Sequence, residues 1–140
     1  MPTLFTKIIA GEIPARFVWK DDSCVSFLTI APLQPGHVLV VPRIEVDHWI
    51  DLPAETAFHL MATAQKIGRA IQAEFQPRKV GVAVIGLEVP HVHIHLVPIR
   101  EIRDMHFGIN EKPADPDDLD DAQHRLIARL QSQGHPEATR

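Results

Sequence analysis

A single cysteine, Cys24, stands among 140 residues, so no internal disulfide can form, and this sparing thiol use fits a reducing, cytoplasmic address. Long apolar runs are missing as well: none approaches the ~20 residues that a membrane span needs. The amino terminus, MPTLFTKIIAGEIPA, lacks a basic start, a continuous apolar segment and a small-residue cleavage site, so export is not expected. There is no surplus of positive charge. A formal net charge of −4 offers no field for a nucleic-acid backbone or an anionic membrane surface, although one phosphate can still be held locally. Internal repeats and low-complexity stretches are also absent. What is left, 45% hydrophobic and 23% charged, is the composition of an ordinary folded chain, and 140 residues is the size of one domain with a substantial core.

The opening LFTKIIA reads as one or two helical turns closed by Gly11. ARFVWK and SCVSFLTI flank the polar turn Lys20 to Ser23 in the pattern of a hairpin, and HVLVVP, after the breakers Pro32, Pro35 and Gly36, reads as a third strand. DLPAETAFHLMATAQKIGRAIQAEF is the strongest helix. Its Phe58, Met61, Ala64, Ile67, Ile71 and Phe75 recur at helical spacing and are expected to pack on a sheet. KVGVAVIG and HVHIHLVPI supply strands four and five. A short amphipathic pattern, LDDAQHRLIARL, follows, with Leu119, Leu126, Ile127 and Leu130 as contacts, and GHPEATR reads as a frayed end. Strands, a long helix, then more strands predict an α+β fold: a five-stranded antiparallel sheet with one long helix and short terminal helices, in one domain over 1–140.

Three histidines alternate with aliphatic residues in HVHIHLVP. On a strand, residues two apart share a face at roughly 6.5 to 7 Å. His91, His93 and His95 then line one face while Val92, Ile94 and Leu96 take the other. One imidazole on a strand is ordinarily a hydrogen-bonded or surface residue; three on one face ask for chemistry. Zinc is one answer, but the outer pair lies roughly 13 Å apart, too far for both to reach one ion unless the strand bends. The other is nucleophilic and acid–base work: neutral imidazole is abundant at pH 7 and attacks phosphorus directly. A nucleophilic His93 would need one ring nitrogen free and the other held as an N–H donor.

The run His91-Val92-His93-Ile94-His95-Leu96-Val97 resembles the signature of the histidine triad (HIT) family, His-φ-His-φ-His-φ-φ with φ apolar. The similarity extends from Leu4 to Pro98: LFTKIIAGEIPARFVWKDDSCVSFLTIAPLQPGHVLVVPR resembles the amino-terminal half of the Hint-like, nucleotide-binding branch, and the chain diverges over about 99–140. The resemblance implies a homodimer with one continuous sheet. It implies a hydrolase or transferase acting on the α-phosphate of a purine nucleotide through a nucleotidyl-histidine intermediate, with no cofactor. His93 matches the nucleophile, His95 the group that contacts phosphate or leaving group, and His91 and His37 the supporting positions. Leu4, Phe5, Ile8, Phe27, Leu28 and Ile30 match positions that enclose a purine, Thr29 the place of an Asp that holds ribose, and Leu87 and Glu88 a phosphate-binding segment.

Three departures stand out. Thr29 replaces that Asp and offers only a neutral hydrogen bond. Glu88 puts a carboxylate where relatives bind phosphate. Zinc-bearing bacterial relatives have two cysteines near the start and a histidine after the third strand; the matching positions are Thr3, Thr6 and Glu45, so no structural zinc is expected. The remaining histidines, His48, His59, His124 and His135, read as peripheral, while His106 lies in a segment that can approach the site. Two other readings stay open: a purine-nucleotide binding module with little turnover, and a metal-binding protein using two triad histidines with His37.

Overall fold

Threonine at position 3 starts the first element. Its hydroxyl accepts from the Thr6 amide and caps α1 (Leu4–Ile9), and Gly11, at φ +82°, then turns the chain where a side chain would be strained. The computed structural model describes residues 1–109 and 111–140. After α1 come β1 (Phe17–Lys20), β2 (Cys24–Leu28), β3 (Val38–Pro42), a 3-10 turn (Trp49–Asp51), α2 (Ala54–Phe75), β4 (Lys79–Ala83), β5 (Ile94–Ile99), a second 3-10 turn (Ile102–Met105) and α3 (Pro116–Ser132). The strands form one sheet, ordered β1-β2-β3-β5-β4, with every pairing antiparallel. It is the α+β fold expected.

Strand alternation sorts the side chains onto two faces. Val38 and Val40 of β3, with Ile94 and Leu96 of β5, pack under Leu60, Ala64, Ile67 and Ile71 of α2 and Leu126 and Leu130 of α3. Leu39 and Val41, one residue out of step, join Val25 and Phe27 of β2 beneath Phe5 and Ile8 of α1. The central strands β2 and β3 are therefore buried on both faces.

Four expectations need correction. Strand β5 begins at Ile94, not His91: the Val92 amide is turned aside to donate to Val46 O, so the first two triad histidines lie in the approach to the strand. Of the predicted core stripe of α2, Ala64, Ile67 and Ile71 are buried, but Phe58 and Met61 are 74% and 51% exposed, because they overhang the outermost strand, β4. The last helix is not short. Asp115 caps it, Pro116 opens it, and it runs for 17 residues. The carboxy terminus is not frayed either: the Lys20 amide donates to Glu137 O and the Thr139 amide to Val18 O, Ala138 is buried, and His135 packs on Trp19. The open edge of β1 supplies those backbone partners. Among the described residues, no helix is long and apolar enough to cross a membrane.

Candidate active site

The same alternation that buries Val38, Ile94 and Leu96 puts His37, His93 and His95 on the α1 face, with Leu39 of β3 paired against His95 of β5. Backbone groups fix the hydrogen-bond roles of His37 and His93, and His37 fixes those of His95. The Leu33 amide donates to His37 Nδ1 at 3.0 Å, so that nitrogen is bare and the proton sits on Nε2. His37 Nε2 lies 3.0 Å from His95 Nδ1 and donates to it. His95 must therefore carry its own proton on Nε2. A second proton at Nδ1 would set two N–H groups head to head, and His37 cannot yield, because its other nitrogen is already taken. Geometry and burial act together: burial and the neighbouring His93 push His37 down to about 4, while burial, His93 and His37 push His95 down to about 3.

His93 is arranged the opposite way. Its Nδ1–H donates to His91 O at 2.7 Å, which leaves Nε2 with a free lone pair. Burial lowers its proton affinity; the hydrogen bond to His91 O and the carboxylate of Glu88 pull the other way without overcoming it. His93 Nε2 thus stays unprotonated to below the usual histidine value. Phe5 meets the ring edge-on, 4.9 Å between centroids, and His95 lies at 4.8 Å. His91 is fully buried behind them: Nε2–H donates to Pro42 O, and Nδ1 lies 2.8 Å from the Thr3 hydroxyl.

The residues matched to a purine pocket separate into groups. Phe5, Ile8 and Phe27 lie together on the histidine face, with Phe5 and Phe27 edge-on at 5.5 Å. Leu4 is partly exposed at the start of α1. Leu28 goes to the other face, into the core under α2, because it follows Phe27 directly on a strand and adjacent strand residues point opposite ways. Thr29 accepts from the Ala31 amide at 3.3 Å, and Ile30 is exposed. Leu87 and Glu88 project from the loop before the triad, Leu87 at 89% exposure.

One contact was not anticipated. Phe107, beyond β5, packs edge-on to His95 at 4.6 Å and closes that side of the triad, whereas its neighbour His106 is exposed. The segment is tied down by Gln34 Nε2 donating to Asp104 Oδ1 and by the Ala114 amide donating to Ile30 O. A lone aromatic in a polar stretch was the only signal.

Metal chemistry finds poor purchase. His37 and His95 spend their facing nitrogens on each other, and His91 has both nitrogens occupied. Among the described residues, Asp21, Cys24 and His59 also converge. Burial pushes the Cys24 thiol up to about 12, and the Asp21 carboxylate is already engaged by Trp19 Nε1, His59 and the Ser23 and Cys24 amides. This cluster knits the hairpin turn.

Architecture and site together define an antiparallel α+β sheet with hydrogen-bonded histidines on one face, and comparison with known proteins agrees. Residues 10–102 match the HIT domain. The chain is 32% identical to Protein hit of Bacillus subtilis over 92% of its own length and 94% of that protein's, and it belongs to the HIT family. It is 28% identical to an adenosine 5′-monophosphoramidase of Saccharomyces cerevisiae, covering 91% of this chain and 82% of the other. It also superposes on a zinc-bound histidine triad protein from Mycobacterium smegmatis with a TM-score of 0.79 and 28% identity, covering 93% and 94% of the two chains.

Proposed function

We propose that this protein is a nucleotide hydrolase or nucleotidyl transferase acting on the α-phosphate of a purine nucleoside 5′-phosphoramidate or dinucleoside polyphosphate. The observation that carries the reading is the free Nε2 of His93, aimed by the Nδ1–H bond to His91 O and flanked by the Nε2–H of His95. Nε2 attacks phosphorus and forms a P–N bond while the bond to the leaving group breaks. The His93 ring gains positive charge in this step, and its bond to the His91 carbonyl strengthens as it does. His95 donates its Nε2–H to a non-bridging oxygen. The α-phosphoryl carries one negative charge and holds the His95 Nε2–H; because a second proton at Nδ1 of His95 would face the N–H of His37, an amine leaving group takes its proton from solvent. Water next attacks the same phosphorus, the P–N bond to His93 breaks, the water's proton passes to solvent, and the nucleoside monophosphate departs. Transfer to an acceptor other than water follows the same second step.

Glu88 favours amines over polyphosphates as leaving groups, since its carboxylate is felt at His93 and repels further negative charge. Glu88→Gln should raise kcat/KM for a dinucleoside polyphosphate several-fold and leave a phosphoramidate nearly unchanged. The chain is further proposed to work as a homodimer. Among the described residues strand β4 ends the sheet with its outer edge unpaired, and Phe58, Met61, Gly68 and Val82 lie beside it on a face that a second copy would cover. Light scattering should give twice the 15.7 kDa chain mass, falling to one for Met61→Asp.

Quenching turnover of a fluorogenic nucleoside phosphoramidate, followed by intact-mass and peptide analysis, tests the chemistry. One nucleotidyl adduct is expected on the peptide containing HVHIHLVP, with both adduct and turnover lost in His93→Ala. Near-normal activity of His93→Ala would withdraw the assignment, and tight nucleotide binding with no product would turn the site into a binding module.

A further inference from the structure

The His91 carbonyl accepts from His93 Nδ1, and the His91 side chain is completely buried with both ring nitrogens engaged. The partners come from far away in sequence. Nε2–H donates to Pro42 O at 2.8 Å, so Nδ1 is a bare acceptor and the Thr3 hydroxyl, 2.8 Å away, must donate to it. That hydroxyl in turn accepts from the Thr6 amide. Thr6 Oγ1 donates to Glu45 Oε1 at 2.7 Å, and the same oxygen accepts from the Thr3 amide at 2.7 Å. The Thr6 hydroxyl and then the Thr3 amide hold the Glu45 carboxyl below its ordinary value, although the group is open to solvent. Thr6 Oγ1 also lies 3.2 Å from the Thr3 hydroxyl, a longer second acceptor beside the 2.8 Å contact to His91 Nδ1.

These positions match the two cysteines and the histidine of zinc-bearing relatives, and the donors that stand there in this chain do not suit that metal. Structural zinc takes thiolates and imidazoles. Here two neutral hydroxyls stand for the thiolates, with their protons committed to His91 and Glu45, and the imidazole nitrogen that faces them is occupied by one of those protons.

We propose that Thr3, Thr6 and Glu45 are a metal-free clasp that positions the nucleophile: it pins the start of α1 to the segment after β3 and holds His91 in the Nε2–H tautomer, so that the His91 carbonyl stays aimed at His93 Nδ1. The link runs through one residue. If Nδ1 of His91 loses its donor, the ring can re-protonate there only by surrendering the bond to Pro42 O, and the backbone that carries the carbonyl moves with the ring. Thr3 is a positioning residue in this scheme, since it touches neither substrate nor reacting atoms. This inference rests on the catalytic reading of His93 for its kinetic consequence, and not for its structural one.

The full-length chain labelled with ¹⁵N-histidine separates the two. Long-range ¹H–¹⁵N correlation should show His91 protonated at Nε2 in the unaltered protein. Thr3→Val, of nearly the same shape, should shift the His91 nitrogens toward a tautomer mixture and lower kcat about tenfold or more with KM changed little, as for other partners that orient a functional imidazole. Thr3→Ser should restore both signals. Glu45→Ala, on the surface and tolerant of folding, should move both in the same direction by less. An unchanged tautomer with unchanged kcat in Thr3→Val, a deficit that Thr3→Ser does not repair, or one tightly held zinc per chain in the unaltered protein would overturn the clasp. If the unaltered protein turns over no phosphoramidate, the catalytic reading fails while the tautomer measurement still decides the clasp.

Discussion

The two faces of the sheet are made by the same strands and obey different rules. Under α2 and α3 the contacts are aliphatic, as between Val40, Ile94 and Leu126, and what matters is volume. Under α1 the strands present imidazoles among aromatics, and what matters is which atom holds each proton. One residue's shift along β5 carries the chain from one regime to the other. A mutation therefore reports on its face: the first face answers in stability, the second in chemistry.

Paired substitutions give the largest contrast. Leu126→Ala, at a fully buried position of α3, should lower unfolding stability by about 2–5 kcal/mol in denaturant titration while kcat per folded molecule holds. His93→Ala should cost less stability and remove turnover. Comparable stability losses with comparable activity losses from both would erase the distinction between faces.

A smaller effect comes from pH. His37, His93 and His95 all sit below the 6.5 of an ordinary histidine when folded. Between 6.5 and the folded values the unfolded chain takes up protons that the folded chain refuses. Stability from these rings is complete above about pH 6.5 and falls as pH drops from there toward 4. Thermal melts across this range should show a declining Tm, with a shallower decline in His95→Asn. A flat profile in the unaltered protein would mean that the rings charge freely and the relay is not dry.

The smallest contrast concerns Thr29. Its hydroxyl already accepts from the Ala31 amide, and a neutral bond to ribose is weaker than the charge-assisted pair a carboxylate makes. Affinity for AMP over dAMP should be roughly tenfold or less by calorimetry. A hundredfold preference would place ribose recognition on another group.

How much of this was readable in advance follows from the range of the interactions. Period-two alternation at 91–97 and the long period of α2 are local, and they placed the histidines opposite the aliphatic core. The start of β5 was missed because HVH fits a strand as well as HIH does, and only the distant Val46 carbonyl decides otherwise. Phe58 and Met61 carry the right spacing for a core, but spacing does not reveal where the sheet stops beneath a helix. Leu28 was grouped with Phe27 through similarity to relatives when strand parity argued against it. The partners of His91 lie 49 and 88 residues away, beyond any local pattern.

The docked carboxy terminus has a consequence for assembly. Glu137 and Thr139 occupy the backbone groups of β1, whereas among the described residues β4 at the opposite end of the sheet has no such cover. A ribbon with one sealed border and one open border has a single place to accept another strand. In the proposed homodimer, joining two copies open border to open border would consume both, so growth by edge addition would terminate at a pair instead of running on into a fibre. Trimming the chain before Glu137 would unseal the first border and give each molecule two sticky ends.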